Sequence, residues 1–139
     1  MTTAIICGGR SYGIVPKNCP SEDYTRYQKQ ALRERERLSQ ILREAAARLG
    51  VTKMVMGDQT GADSLASRWC EGNGMAFQVY AAEWEVHGSR AGPIRNLRMI
   101  KEEVPMPTIC IAFPGSRGTR DMVAKADGHF MRVIKVDWT

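Results

Sequence analysis

Short apolar runs alternate with longer stretches of helical periodicity along the chain. Ala4-Ile5-Ile6-Cys7 reads as a buried strand that ends in Gly8-Gly9. Residues 10–23 are rich in Gly, Pro, Asn and Ser and read as a loop. From 24 to 49, Tyr27, Ala31, Leu38, Leu42, Ala45 and Leu49 form one apolar stripe at helical spacing. Gly50 then supplies the left-handed residue that ends helices. Lys53-Met54-Val55-Met56 is a second strand, closed by Gly57-Asp58. Thr60 is placed to cap a helix running to Gly72. Ala76-Phe77-Gln78-Val79-Tyr80 is a third strand, followed by a loop holding Trp84, His87, Gly88 and Gly92. Pro93 is expected to open a helix to Val104, where its missing N–H goes unneeded. Thr108 to Phe113 is a fourth strand, Pro114 to Gly118 a turn, and Thr119 the expected cap of a helix to Asp127. Arg132-Val133-Ile134-Lys135-Val136 is the last strand.

Five strands separated by four helices predict an α/β fold: a three-layer sandwich with a five-stranded, mainly parallel sheet and helices on both faces. At 139 residues the chain is read as one domain, 1–139. A core of that size folds without disulfides or a structural metal. No apolar run reaches the roughly 18 residues that span a bilayer, and the N-terminus lacks a basic lead-in. The expected location is therefore the cytoplasm (the host's, if phage-encoded), with no membrane partner.

The net charge of +5 is uneven. Residues 24–49 carry seven basic side chains against Glu34, Glu36 and Glu44. A basic balance invites a nucleic-acid reading. Interleaved acids on one helix favour a solvated face instead. The four cysteines, Cys7, Cys19, Cys70 and Cys110, show no CxxC spacing, so no zinc site is expected and all are taken as reduced.

In a sheet of this kind, ligands bind outside the carboxyl ends of the strands, where strand order reverses. The unusual residues fall there. Gly8-Gly9-Arg10-Ser11-Tyr12 follows the first strand and Gly57-Asp58-Gln59-Thr60-Gly61-Ala62-Asp63 the second. Glu83-Trp84 and then Gly92-Pro93-Ile94-Arg95-Asn96 follow the third, and Pro114-Gly115-Ser116-Arg117-Gly118-Thr119 the fourth. Glycine turns at helix starts let backbone N–H groups approach an anion. Neither GxxxxGK[ST] nor GxGxxG occurs, which speaks against a P-loop NTPase and an ordinary NAD-binding protein. Arg10 suits a bidentate phosphate contact. Asp63 serves equally as a ribose ligand or as an acid at a helix start. Arg95 and Asn96 stand in the first turn of the expected helix, where a cation is disfavoured unless an anion faces it. Trp84 and Tyr12 either stack on a base or cover the sheet end. His87 reads as solvated and His129 as structural. Met54, Met56, Met99 and Met122 read as core or pocket lining.

These four segments together resemble the SLOG superfamily, which includes the LOG phosphoribohydrolases and the Rossmann-like domain of DNA-processing protein A. The likeness is greatest to its small single-domain members in bacteria and phages, and it spans residues 8 to 119. The resemblance implies a Rossmann-like fold that binds nucleotides or nucleotide-derived ligands, and a homodimer or higher oligomer paired through helices near the site. LOG enzymes carry PGGxGTxxE and an arginine from an earlier helix. Here the segment reads Pro114-Gly115-Ser116-Arg117-Gly118-Thr119-Arg120-Asp121-Met122, with Arg95 in the place of the arginine. Met122 stands where the family glutamate would act, and a thioether can neither stabilise an oxocarbenium-like sugar nor activate water. Asp121 is turned about 100° away on the helix.

Three functions follow: a nucleotide-binding sensor or sequestering protein, a phosphoribohydrolase or N-glycosidase on nucleoside monophosphates, and a DNA-associated module. If there is hydrolysis, its carboxylate comes from Asp63, Glu83, Asp58 or Asp121, with Arg95 assisting. The phosphate cradle is assigned to Gly8, Gly9, Arg10, Tyr12, Gly57, Thr60, Gly61, Asp63, Trp84, Arg95, Asn96 and Pro114 through Thr119. No cofactor is required, although a phosphorylated ligand can bring Mg²⁺.

Overall fold

The computed structural model describes residues 1–137. Its strands are β1 (Thr2–Cys7), β2 (Val51–Gly57), β3 (Ala76–Tyr80), β4 (Ile109–Ala112) and β5 (Arg132–Lys135). Its helices are α1 (Tyr24–Arg48), α2 (Ala62–Asn73), a single turn α3 (Trp84–His87), α4 (Ala91–Glu102) and α5 (Arg117–Gly128). All strand pairings are parallel, in the order β3-β2-β1-β4-β5. The α/β sandwich expected from the alternation of runs is the one formed. The chain steps outward from β1 to β2 and β3, then returns to place β4 on the other side of β1. The reversal lies between β1 and β4.

Alternation along β1 sorts its side chains into two cores. Ala4 and Ile6 face Leu38, Leu42 and Ala45 of α1 and Ala62, Ala66 and Cys70 of α2. Ile5 and Cys7 face Met99 and Ile100 of α4 and Met122 and Ala126 of α5. Met54, Met56, Met99 and Met122 are all buried, the first two in one core and the last two in the other. Among the described residues no helix is long and apolar enough to cross a membrane.

Several boundaries differ from the sequence expectation. The helix expected to open at Pro93 begins at Ala91 and ends at Glu102. Proline is tolerated at its third position because the first four N–H groups of a helix have no intrahelical acceptor. The segment around Trp84, expected as loop, coils into α3 and a 3₁₀ turn (Gly88–Arg90). Neither expected threonine is a cap. Gly61 precedes α2 and Ser116 precedes α5, and neither gives a side-chain cap. The Thr60 hydroxyl donates instead to the Arg10 carbonyl at 3.1 Å. Thr119 lies in the first turn of α5 with its hydroxyl folded over Gly115. The basic helix ends as expected, with Gly50 left-handed at φ +68°.

Candidate functional site

The loops at the β1/β4 reversal are built backbone against backbone. Gly9 N–H donates to the Pro114 carbonyl at 2.8 Å, and Ala62 N–H donates to the Gly9 carbonyl at 3.1 Å. A Cβ at Gly9 would lie 2.9 Å from the Pro114 oxygen, and one at Gly115 would lie 2.8 Å from the Gly9 nitrogen. A Cβ at Gly8 would meet those of Ala62 and Phe113 at 2.6 and 2.9 Å. Gly57 has the Arg95 guanidinium and the Asp63 carboxylate packed across its Cα. These glycines were expected to make room for an anion. The structure gives them a prior duty, since protein atoms of neighbouring loops already occupy the space that a side chain would need. Gly118 differs: nothing lies within 4 Å of where its Cβ would be.

Charged side chains from the loops after β1 and β2 and from α2 and α4 lie beside these turns. Arg95, 6% exposed, reaches from α4 to the Asp58 carboxylate (3.3 Å) and to the Tyr80 carbonyl (3.3 Å). Asp58 also accepts the Ala82 N–H at 3.4 Å, so one carboxylate ties the ends of β2 and β3 to α4. Arg10 donates through Nε to Gln59 at 2.8 Å and lies over the Trp84 ring, 5.7 Å from its centre. Trp84 in turn rests near Gly92, where a Cβ would lie 3.5 Å from the ring. Asp63 is buried in the first turn of α2 and accepts the Gln59 N–H at 3.3 Å. Burial pushes its pKa up to about 6, against the pull of Arg95 and of that N–H, while Asp58 adds to the rise.

The N-terminus of α5 points into the reversal with no acid in its first turn. Arg117 and Arg120 are exposed beside it. Free N–H groups and the helix dipole give this end a partial positive charge. A groove of about 630 Å³ leads away from it between α5 and β5, lined in part by Gly115, Thr119, Arg120 and Lys135. A smaller cleft of about 70 Å³ lies on the other side, among Glu83, His87, Arg95 and Arg98.

The expected site residues therefore divide. Arg10, Thr60, Trp84, Gly115, Ser116, Arg117 and Gly118 are exposed around the strand ends, with Pro114 and Thr119 half-buried at the rim. Tyr12 does not join them: it is 1% exposed and packs on Phe113 with ring centres 5.3 Å apart. The residue after Gly9-Arg10-Ser11 turns inward because the loop folds back under α1. Asn96 is also a framework residue. Its amide donates to Asp121 (3.0 Å) and to the Gly118 carbonyl (3.3 Å), and accepts from Arg95 Nε (3.0 Å), tying α4 to α5. Arg95 and Asn96 stand in the second turn of α4, because the helix starts earlier than expected. Arg95 therefore lies beyond the helix start, and Asp58 is the anion that it meets. Asp121 is held by Asn96 and by Lys125 at 2.6 Å, which keeps it from acting as a displaced hydrolytic carboxylate. Met122 is fully buried on the core-facing side of α5. Glu83 remains exposed at the start of α3, in the smaller cleft.

Two positioning residues were missed in the sequence. Glu34, one of the acids on the helix expected to be a solvated face, is 4% exposed and accepts the Gly13 N–H at 2.7 Å. Arg35 takes the Gly13 carbonyl at 2.7 Å. Together they fix the loop that carries Arg10. Glu34 lies three residues after Ala31 and four before Leu38, so its place on the apolar stripe was the available signal. Glu34→Ala leaves a buried N–H without its acceptor and should lower stability by about 1–3 kcal/mol in urea unfolding, whereas Glu34→Gln, which keeps an acceptor, should lose less.

The chain is 36% identical over 88 residues to the Gene 61 protein of Mycobacterium phage D29, an alignment covering 58% of this chain and 68% of that protein. No protein-family model matches the chain. No solved structure matches it either.

Proposed function

The chain belongs to the same family as the Gene 61 protein of Mycobacterium phage D29, and within that family we propose that it is a SLOG-type protein binding a nucleotide or nucleotide-derived ribose phosphate. The ligand lies at the carboxyl ends of the strands, and the protein acts as a sensor or a sequestering protein. The observation that carries this reading is the uncapped N-terminus of α5 at the strand-order reversal, with open space at Gly118. It suits a phosphate, because unsatisfied N–H groups and the helix dipole both favour negative charge. Arg10 supplies an exposed guanidinium from the loop after β1, and Trp84 offers a half-exposed ring for a base, while Arg95 is buried behind them against Asp58. Asp63 is suited to a ribose hydroxyl. Binding without hydrolysis is favoured because the LOG pattern offers no available carboxylate: position 122 is a buried methionine, and the neighbouring Asp121 is held by Lys125 and Asn96.

The test is a thermal-shift screen against nucleoside mono-, di- and triphosphates, ADP-ribose, NAD and cyclic nucleotides, with and without Mg²⁺, followed by chromatography for released base. A ligand at 100 times its dissociation constant should add about 2.7 kcal/mol of stability. Gly118→Glu places a carboxylate on the same N–H groups. It should leave the free protein as stable as before, because an acid suits a helix start, and remove the ligand shift. No shift across the panel overturns the binding reading. A shift accompanied by free base overturns the non-hydrolytic part and moves the chemistry to Asp63 or Glu83.

A further inference from the structure

Strands of a parallel sheet in an α/β fold are normally covered on both faces. β3 is not. Ala76, Phe77, Gln78 and Val79 are exposed, and only Tyr80 is buried. Phe77 and Val79 each leave 37% of their surface open, on the face they share with Met54 and Met56 of β2. β3 is also an edge strand, bonded on one side to β2 alone. Its pairing runs through five successive positions, Lys53↔Ala76 to Gly57↔Tyr80, with no bulge to twist the free edge away. The strand holds no charge and no proline. Proteins ordinarily blunt an open edge with lysine, proline, a bulge or a cover, and β3 has none of these.

The other edge is defended. β5 carries exposed Arg132 and Lys135 at its two ends. Antiparallel pairing of two β5 strands about their midpoint would set Arg132 opposite Lys135 twice, an unfavourable match of like charges. The same operation on β3, centred on Gln78, sets Phe77 opposite Val79 twice and Ala76 opposite Tyr80 twice. No like charges meet, and apolar side chains left half open by the monomer cover one another.

We propose that the outer edge of β3 is an interface for a second copy of this chain. The two copies join antiparallel about a two-fold axis through Gln78, giving one continuous ten-stranded sheet. This interface is separate from the helix pairing that the SLOG resemblance implies, and it does not depend on the proposed ligand. The symmetry closes with two copies, because each supplies the same edge to the other. A five-residue edge is small beside the roughly 800 Å² per partner of a standard interface, so association should vary with concentration.

Sedimentation equilibrium across about 10–500 µM, the range suited to a small interface, tests the proposal on the full chain. The expected result is a monomer–dimer equilibrium that Gln78→Lys shifts at least tenfold toward monomer. The variant sets two lysines against each other at the axis and leaves the exposed position's own fold intact, as circular dichroism should show. Gln78→Cys, in a Cys19→Ser background, should form a disulfide with its own copy under mild oxidation. A wild type that stays monomeric throughout overturns the proposal. So does a dimer that persists in Gln78→Lys and gives no crosslink at position 78, which would place the interface on the helices.

Discussion

Gly61→Ala should be the most damaging single-methyl change in the molecule, with an expected loss of about 3–5 kcal/mol. Two costs add. Gly61 has φ +82° and ψ −131°, a region open to glycine and strained for any residue with a Cβ. The added methyl would also run into the Gly9 carbonyl oxygen and the Arg10 backbone. Those atoms cannot step aside as a flexible side chain would, because Gly9 is bonded to both Pro114 and Ala62. Alanine at 61 therefore pushes three loops apart: those after β1, β2 and β4. Gly118→Ala is the control. It faces open space inside a helix, where alanine is favoured over glycine, so stability should hold or rise by up to about 1 kcal/mol. Urea unfolding of both variants gives the comparison. Equal effects would mean that loop-on-loop packing does not hold the site together.

Asp63→Asn carries the second large expectation, of opposite sign. The Asp63 pKa is raised from 3.8 to about 6, chiefly by burial. The folded state then holds the proton more tightly than the unfolded state does. The stability linked to this proton is fully present below about pH 4, drains away between about pH 4 and 6, and is absent at pH 7. A rise of this size corresponds to about 3 kcal/mol, taken as an order of magnitude. Asparagine is uncharged at every pH and can still accept the Gln59 N–H. The stability difference between Asp63→Asn and wild type should thus move by about 3 kcal/mol in favour of the variant from pH 3.5 to pH 7. A difference that stays flat over that range would show that Asp63 titrates normally. A ligand that contacts the carboxylate should bind Asp63→Asn at least tenfold more weakly even as the free protein gains stability.

Much of the framework was legible because burial leaves a period in the chain. The run at 4–7, the stripe from Tyr27 to Leu49 and the apolar block at 108–113 each named their element, since a strand or helix buried on one side must repeat its apolar residues at its own pitch. The gathering of the glycine turns was legible too, because turns after parallel strands meet at one end of the sheet. Helix starts were less so. Pro93 and the two threonines are good local signals, but a proline fits anywhere in the first turn. A threonine caps only if no stronger contact claims its hydroxyl, and Thr60 and Thr119 both turn to a neighbouring loop.

The sequence by itself determined the alternation and the end of the sheet where unusual residues collect, because each of these depends on neighbours along the chain. Only the tertiary structure decided what those residues touch. It sent Tyr12 inward onto Phe113, gave Asn96 and Asp121 to the α4–α5 contact, buried Glu34 beneath Gly13 and brought Asp63 and Arg95 together across Gly57. Each of these joins residues far apart in the chain, and no local period records such a pairing. The glycines show the difference most directly. Their spacing marked close approach, and the fold decided that at Gly8, Gly9, Gly57, Gly61 and Gly115 the approaching atoms are the protein's own, leaving Gly118 open to solvent.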